Sequence, residues 1–243
     1  MPRADYGIYG SLAFFAILAI VTSLSLALTV FTVSSQDLFL GIFAVSAMLL
    51  AASLTAMIYI SRRTGIVPKV LKATKITPDV QVLDVGTGRG FLAIEIAKAV
   101  KGCRIVGIDL WDKPAKGQMH KGFVIGNSKE NAERNAVLEG VADRVEFIQC
   151  DAREMPFESE SFDIVVSCAT LHQIFQLGKG DESVLGEIGR VLKHGGRLVN
   201  VDFMIGQRMI EKLQQLGFTD IEITETKPRS LSFYPKMLST TKG

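Results

Sequence analysis

Val82-Leu83-Asp84-Val85-Gly86-Thr87-Gly88-Arg89-Gly90-Phe91-Leu92-Ala93 decides the fold of this 243-residue chain. An apolar run closes on an acid, three glycines alternate with other residues, and a helix-forming run follows at once. Glycine tolerates positive φ and lets a ligand approach the backbone without a Cβ in the way, and a helix N-terminus behind such a turn attracts polar ligands. The spacing is GxGxG, where a dinucleotide fingerprint has GxGxxG, and Asp84 stands immediately before it. A carboxylate there suits a cationic ligand better than a pyrophosphate. One glycine turn is a weak signal, so its context matters.

Downstream, strand-like and helix-like runs alternate. Strands are expected at Gln81–Val85, Arg104–Asp109, Val145–Gln149, Ile164–Ser167 and Arg197–Asp202, with helices at Phe91–Val100, Ser128–Glu139 and Glu182–Leu192. Such alternation predicts βαβ units, hence an α/β, doubly wound, mainly parallel sheet covered on both faces. Asn127 with Glu130 three residues on has the pattern of a capping box. The tail predicts a helix at Gly206–Leu216, a strand at Asp220–Thr226 and a last strand at Ser230–Tyr234, the two strands separated by Pro228 and paired as a hairpin at a sheet edge. Ligands of open sheets bind outside the carboxyl ends of the strands. There the second strand brings Asp109, placed to accept both hydroxyls of a ribose, which fits a nicotinamide dinucleotide as well as any adenosyl ligand. The third ends in Cys150-Asp151-Ala152 and the fourth in Ser167-Cys168-Ala169-Thr170-Leu171-His172, while Leu192–Arg197 forms a turn into the fifth.

Taken in order, VLDVGTGRGFLA, VGIDLW, FIQCDAREMPF, FDIVVSCATLHQI and EIGRVLKHGGRLVNVDF resemble the successive motifs of class I S-adenosylmethionine-dependent methyltransferases, nearest to the quinone-methylase-like branch. The resemblance covers about residues 70–225. It implies a seven-stranded sheet ordered 3-2-1-4-5-7-6 and S-adenosyl-L-methionine as cofactor. It also implies roles: Asp84 and the Gly86, Thr87, Gly88 and Gly90 backbone at the methionine moiety, Asp109 with the neighbouring Leu110 at the ribose, Asp151 and Ala152 at the adenine, and Ser167 near the sulfonium. Where many relatives carry proline in the turn before strand five, this chain has His194.

The first sixty residues have a different composition. Residues 1–61 hold three charges, Arg3, Asp5 and Asp37, so 49 of the 52 Asp, Glu, Lys and Arg residues follow them. This imbalance raises the mean hydropathy to +0.28. Ile8–Val33 and Leu38–Ile60 are uncharged runs of 26 and 23 residues. Each exceeds the roughly 20 residues a helix needs to cross a bilayer core. With the short connection 34–37 they predict an antiparallel two-helix transmembrane hairpin over 1–61; a cleaved signal peptide fits poorly, because its apolar region is shorter. Arg62, Arg63, Lys69, Lys72 and Lys75 follow the hairpin, and the inter-helix loop carries no basic residue. That asymmetry predicts both termini and the domain over 80–243 on the cytoplasmic side. Within the basic juxtamembrane segment 62–79, residues 66–75 read as a helix that presses on headgroups, packs on the sheet, or does both.

Methyl transfer from a sulfonium needs a base only when the acceptor carries a proton. His172 is the candidate base, with pocket lining as its other reading, and His120 lies in the long loop Trp111–Gly126. Trp111 reads as a partner for adenine or as an apolar anchor. Cys103, Cys150 and Cys168 have no metal-ligand spacing, so no metal is expected and the thiols are expected to be reduced. No basic run interleaved with aromatics suggests a nucleic-acid partner. The expected partners are a membrane and a small-molecule or lipid-like methyl acceptor. Methylation of a protein at the membrane, a nicotinamide-dependent reductase and a non-catalytic, membrane-tethered cofactor-binding module remain the alternatives.

Overall fold

The computed structural model describes residues 4–6, 20, 22–24, 43, 45–50, 65–111, 127–177, 183–202, 204–226 and 235–243. The chain divides into two compact units, one of Met1–Tyr6, Gly65–Gly122 and Gly126–Gly243, the other of Gly7–Thr64 and Phe123–Ile125. In the second unit the described residues 20, 22–24, 43 and 45–50 are helical. Ile20, Leu24, Phe43, Val45, Met48 and Leu49 are exposed there. The predicted spans Ile8–Val33 and Leu38–Ile60 lie mostly outside the described residues. Among the described residues, no helix is long and apolar enough to cross a membrane.

The first unit is built from α1 (Ile66–Thr74), β1 (Gln81–Val85), α2 (Phe91–Ala99), β2 (Arg104–Asp109), α3 (Lys129–Leu138), β3 (Val145–Gln149), β4 (Phe162–Cys168), α4 (Leu171–Leu177), α5 (Ser183–Val191), β5 (Leu192–Asp202), α6 (Gln207–Gln215), β6 (Phe218–Glu225) and β7 (Lys236–Lys242). The seven strands form one sheet in the order β3-β2-β1-β4-β5-β7-β6. β7 runs antiparallel between β5 and β6, as the resemblance implied, and the pairings from β3 through β5 are parallel. Burial follows position. The central β1 and β4 are buried on both faces and read as continuous apolar runs, whereas the edge strand β6 exposes most of its residues. One face packs Val184, Leu185, Ile188 and Val191 of α5 and Met209 and Leu213 of α6 against Leu83, Val165 and Leu198. Burying side chains of this size contributes roughly 1.5–3 kcal/mol each.

Several boundaries differ from the sequence reading, each for a local reason. The capping residue of α3 is Ser128, whose hydroxyl accepts from the Asn131 N–H at 3.2 Å, one position after the predicted Asn127. β5 begins at Leu192, because Leu192 pairs with Phe162; the register then jumps to Ile164 against Arg197, so the predicted turn survives as an irregularity inside the strand. The predicted strand Ser230–Tyr234 lies outside the described residues, and the strand that completes the hairpin is Lys236–Lys242. Residues 66–74 pack on the sheet: Val70 and Thr74 are buried, and Arg197 Nε donates to the Ala73 carbonyl at 2.9 Å. At the other end of α1, Lys69 Nζ donates to the carbonyls of Glu225 and Thr226. Glu225 pairs with Lys236, and Lys236 with Asp202, the last residue of β5. The first turn of α1 therefore lies at the carboxyl edge of the sheet.

Two glycines predict opposite outcomes in urea unfolding of the full chain followed by the fluorescence of Trp111, its sole tryptophan. A Cβ on Gly107 of β2 would lie 2.8 Å from both Phe147 and the Thr87 hydroxyl, so Gly107→Ala is expected to cost about 1–3 kcal/mol. A Cβ on Gly186 of α5 meets nothing within 4 Å, so Gly186→Ala is expected to be neutral or to stabilise by up to about 1 kcal/mol.

Candidate functional site

The turn from β1 into α2 is fixed group by group. Gly86, Gly88 and Gly90 have φ of 73, 59 and 82°, conformations that L residues adopt only under strain. At Gly86 space also forbids a side chain, since a Cβ would fall 2.1 Å from the Thr170 hydroxyl. The Gly86 and Thr87 N–H groups donate to the Ile108 carbonyl at 2.8 and 2.9 Å, and the Gly90 N–H to the Thr87 carbonyl at 2.9 Å. Gly88 N–H donates to Asp109 Oδ2 at 2.9 Å, while the Gly88 carbonyl accepts from Trp111 Nε1 at 2.7 Å. The Arg89 carbonyl accepts from Asn135 Nδ2 at 3.0 Å.

Asp84 is the base of this turn. It is 1% exposed, and its Oδ2 accepts from the Thr87 hydroxyl at 2.8 Å and from the Ala93 N–H at 3.2 Å. These are the contacts of a carboxylate that ties the loop to the first turn of α2. Burial raises its pKa to about 7, against the lowering effect of the Thr87 and Ala93 hydrogen bonds; the Asp109 charge adds a smaller upward push.

The other expected site residues gather at the same carboxyl edge. Asp109 accepts from Gly88 through Oδ2 and from the Trp111 N–H through Oδ1 at 2.9 Å, and the Asn127 side chain also hydrogen-bonds it. Burial pushes its pKa upward, against the lowering effect of those hydrogen bonds. Leu110 presents its carbonyl to Gln149 Nε2 at 2.8 Å. Ala152 is half-buried beside Asp151. Ser167, fully buried, donates its hydroxyl to the Val85 carbonyl at 2.9 Å, locking β4 to the end of β1. Asp151 is gripped by a residue the sequence reading left aside. Arg153 Nε lies 3.0 and 3.2 Å from its two oxygens, and a terminal guanidinium nitrogen lies 2.6 Å from Oδ2. The adenine role that the resemblance implies for Asp151 requires Arg153 to share or release one of those oxygens. Trp111 is 4% exposed, and its indole N–H donates to the Gly88 carbonyl.

His172 opens α4 just beyond β4. Its Nδ1 lies 2.5 Å from Asp202 Oδ1, and its backbone N–H donates to Asp202 Oδ2 at 3.0 Å. Asp202 is fully buried. The carboxylate therefore stands on the Nδ1 side of the ring. Asp202 was visible as the acid closing the fifth strand, yet nothing in the sequence marked it as the partner of His172. His120 lies outside the described residues, and His194 is a surface residue against Glu160 and the Gly243 carbonyl. Cys103 and Cys168 are buried and Cys150 is half-buried. Among the described residues, no group of three or more His, Cys, Asp or Glu is placed to hold a metal ion.

The family model described as a methyltransferase domain matches residues 83–200, which span β1 to β5. The chain is 36% identical over 122 residues, half of its length, to "Sterol 24-C-methyltransferase ERG6B" of Gibberella zeae, covering 27% of that protein. It is 33% identical over 118 residues, 49% of its length, to "U6 snRNA (guanine-N(2))-methyltransferase THUMPD2" of Bos taurus, covering 21% of it. The chain thus spans roughly a quarter of the length of these curated relatives. The crystal structure of geranyl diphosphate C-methyltransferase from Streptomyces coelicolor, in complex with Mg2+, geranyl diphosphate and S-adenosyl-L-homocysteine, superimposes with a TM-score of 0.60. That likeness has 12% identity and covers 80% of this chain and 83% of that one, and at this identity it concerns the fold.

The buried Asp84 predicts a pH dependence. An acid whose folded pKa is raised holds a proton that the unfolded chain releases from about pH 4 upward, so its contribution to stability declines between about pH 4 and 7 and levels off above. Asp84→Asn keeps an oxygen acceptor for Thr87 and Ala93. In ligand-free protein, its unfolding midpoint is expected to fall less than that of the wild type over this window, as measured by urea titrations at each pH.

Proposed function

With a methyltransferase domain matched over residues 83–200 as the premise, we propose that the chain is an S-adenosyl-L-methionine-dependent methyltransferase. It acts on a small hydrophobic or lipid-like acceptor, anchored by a transmembrane hairpin within residues 1–61 with both termini and the domain on the cytoplasmic side. The observation that carries the cofactor reading is the pinned glycine turn beside Asp109. Among the described residues, a Cβ on Gly88 would meet only Asn127 Oδ1, 3.8 Å away, and that Oδ1 is a buried acceptor with no hydrogen-bond partner among them. An adenosyl cofactor brings the donors such an oxygen lacks, ribose hydroxyls for Asp109 and an ammonium group. Gly86, Thr87, Gly88 and Gly90 would hold its methionine side with Asp84 behind them, Asp109 and Leu110 the ribose, Asp151 and Ala152 the adenine, and Ser167 the region of the sulfonium. When bound, it supplies a methyl group activated by the sulfonium charge.

The chain's own residues then have two tasks. The carboxyl edge holds the acceptor close to the methyl, and His172 receives a proton at Nε2 from an acceptor O–H or N–H while Asp202, against Nδ1, orients the ring. The acceptor class is supported by where the apolar segment joins the fold. The Tyr6 ring packs edge-on against Phe91, the first residue of α2, with centroids 5.3 Å apart, and Gly65 precedes the first turn of α1. The residues between these two points are nearly free of charge, and that long apolar stretch suits an acceptor that partitions into a membrane.

Incubation with a methyl-labelled donor and total membrane extract tests the proposal. Label is expected in the organic-soluble lipid fraction. Label confined to protein, RNA or water-soluble solutes would overturn the acceptor class, and no transfer to any fraction would count against the activity. His172→Ala and Asp202→Asn are each expected to lower kcat by about 10²-fold or more. Binding of S-adenosylhomocysteine, followed by calorimetry, is expected to change little, and undiminished turnover would remove the dyad from the mechanism.

A further inference from the structure

Asn135 is 3% exposed in the middle of the otherwise charged helix α3, an unusual place for an unassisted amide. Its partners account for it. Nδ2 donates to the Arg89 carbonyl at 3.0 Å and to the Asp5 carbonyl at 2.9 Å, and Oδ1 accepts the Asp5 N–H at 3.0 Å. One side-chain amide thus pairs with the backbone of Asp5, as a neighbouring strand would, and spends its remaining N–H on the glycine loop. Two further contacts hold the segment: Asp5 Oδ2 lies 3.0 Å from a terminal nitrogen of Arg89, and Tyr6 packs on Phe91. The Asp5 side chain is 73% exposed, and exposed ion pairs typically contribute less than about 1 kcal/mol. The buried amide pairing therefore outweighs the charge.

We propose that the segment ahead of the first apolar run is a positioning element of the glycine loop: Asp5 and Tyr6, acting through Asn135, set the Arg89 carbonyl and with it the loop's affinity for the adenosyl cofactor. The proposal rests on the cofactor reading of the loop. Without the segment, Asn135 would keep a buried oxygen and one N–H unpaired and would satisfy them by turning away from Arg89, since an unsatisfied buried polar group costs about 1–3 kcal/mol. The loop is otherwise pinned from below by Ile108 and Asp109 and from one side by Trp111. The hydrogen bond to the Arg89 carbonyl comes from Asn135, 46 positions along the chain, and Asn135 in turn pairs with Asp5, 130 positions before it.

The test uses the full chain in lipid nanodiscs. Deletion of residues 2–6, and separately Asn135→Asp, which keeps an acceptor but loses both N–H donors, are expected to raise the Kd for S-adenosylhomocysteine about tenfold or more, equivalent to about 1.4 kcal/mol. At saturating methyl donor, kcat should stay within about twofold of the wild type. Asp5→Asn, which preserves the backbone pairing, is expected to change Kd by less than about threefold. In ligand-free protein, amide exchange at Arg89 and Gly90 should accelerate in the deletion variant while exchange in β4 and β5 does not. Unchanged Kd and unchanged loop exchange in the deletion would overturn the proposal. So would a parallel loss of Kd, kcat and exchange protection throughout the sheet, which marks a merely structural role. A wild-type protein that folds but does not bind S-adenosylhomocysteine would overturn the cofactor reading and the affinity claim together, an outcome distinct from a binding wild type with insensitive variants.

Discussion

Everything at the carboxyl edge depends on one geometric demand: β1 must turn into α2 within five residues while its peptide groups face partners other than water. Three positive-φ glycines make the turn possible, and glycine brings the most conformational freedom to be restrained. Rigidity is supplied from outside, by the Ile108 carbonyl, Asp109, the Trp111 indole, the Asn135 amide and, from beneath, the buried Asp84 carboxylate. β2, the segment after it, α3 and the N-terminal residues are therefore all supports of one loop. A site built this way binds through backbone groups that are already immobile before a ligand arrives, which lowers the ordering cost of binding.

The central sheet was legible from the sequence because its signal is local. Gln81–Val85, Arg104–Asp109 and Val145–Gln149 are apolar runs closed by turns or polar residues, and the structure reproduces those bounds. The order of the strands came with the motif resemblance, which carries long-range information that periodicity does not. The misses share a cause. Ser128 displaced Asn127 as the cap because the choice between adjacent polar residues depends on where the incoming chain points, and the long loop before it leaves that open. Lys236–Lys242 contains little that marks a strand and is ordered by pairing on both sides, with β5 and β6.

In the site, the acids at the strand ends were legible and their partners were not. Asp84, Asp109 and Asp151 stand where the motifs place them. Their protein contacts run to Thr87 and Ala93, to Gly88, Trp111 and Asn127, and to Arg153. The contacts to Thr87, Trp111 and Arg153 are local turns, whereas those of Asp109 to Gly88 and Asn127 are set by packing across the edge, which no spacing rule encodes. The same holds for His172 with Asp202, thirty residues apart and adjacent only because β4 and β5 are neighbours. The raised pKa values of Asp84 and Asp109 follow from this crowding. Near neutral pH, a cationic ligand beside Asp84, whose pKa burial raises to about 7, would favour its ionised form and release protons as it binds.

The pairing of Asp5 with Asn135 has a bearing on how the protein is made. Residues 4–6 leave the ribosome before the amide that receives them, which is synthesised about 130 positions later. Until then the glycine turn can form with β1, β2 and Trp111 in place while its support at Arg89 is missing. The uncharged runs between the two partners are complete well before α3 exists, so their fate is decided while the N-terminal residues are still unbound. Closing so distant a contact carries an entropic cost that grows only slowly with separation, and shortening the intervening chain by folding it into helices reduces that cost further. The order of synthesis thus leaves the loop without its support at Arg89 until the residues of α3 have been made.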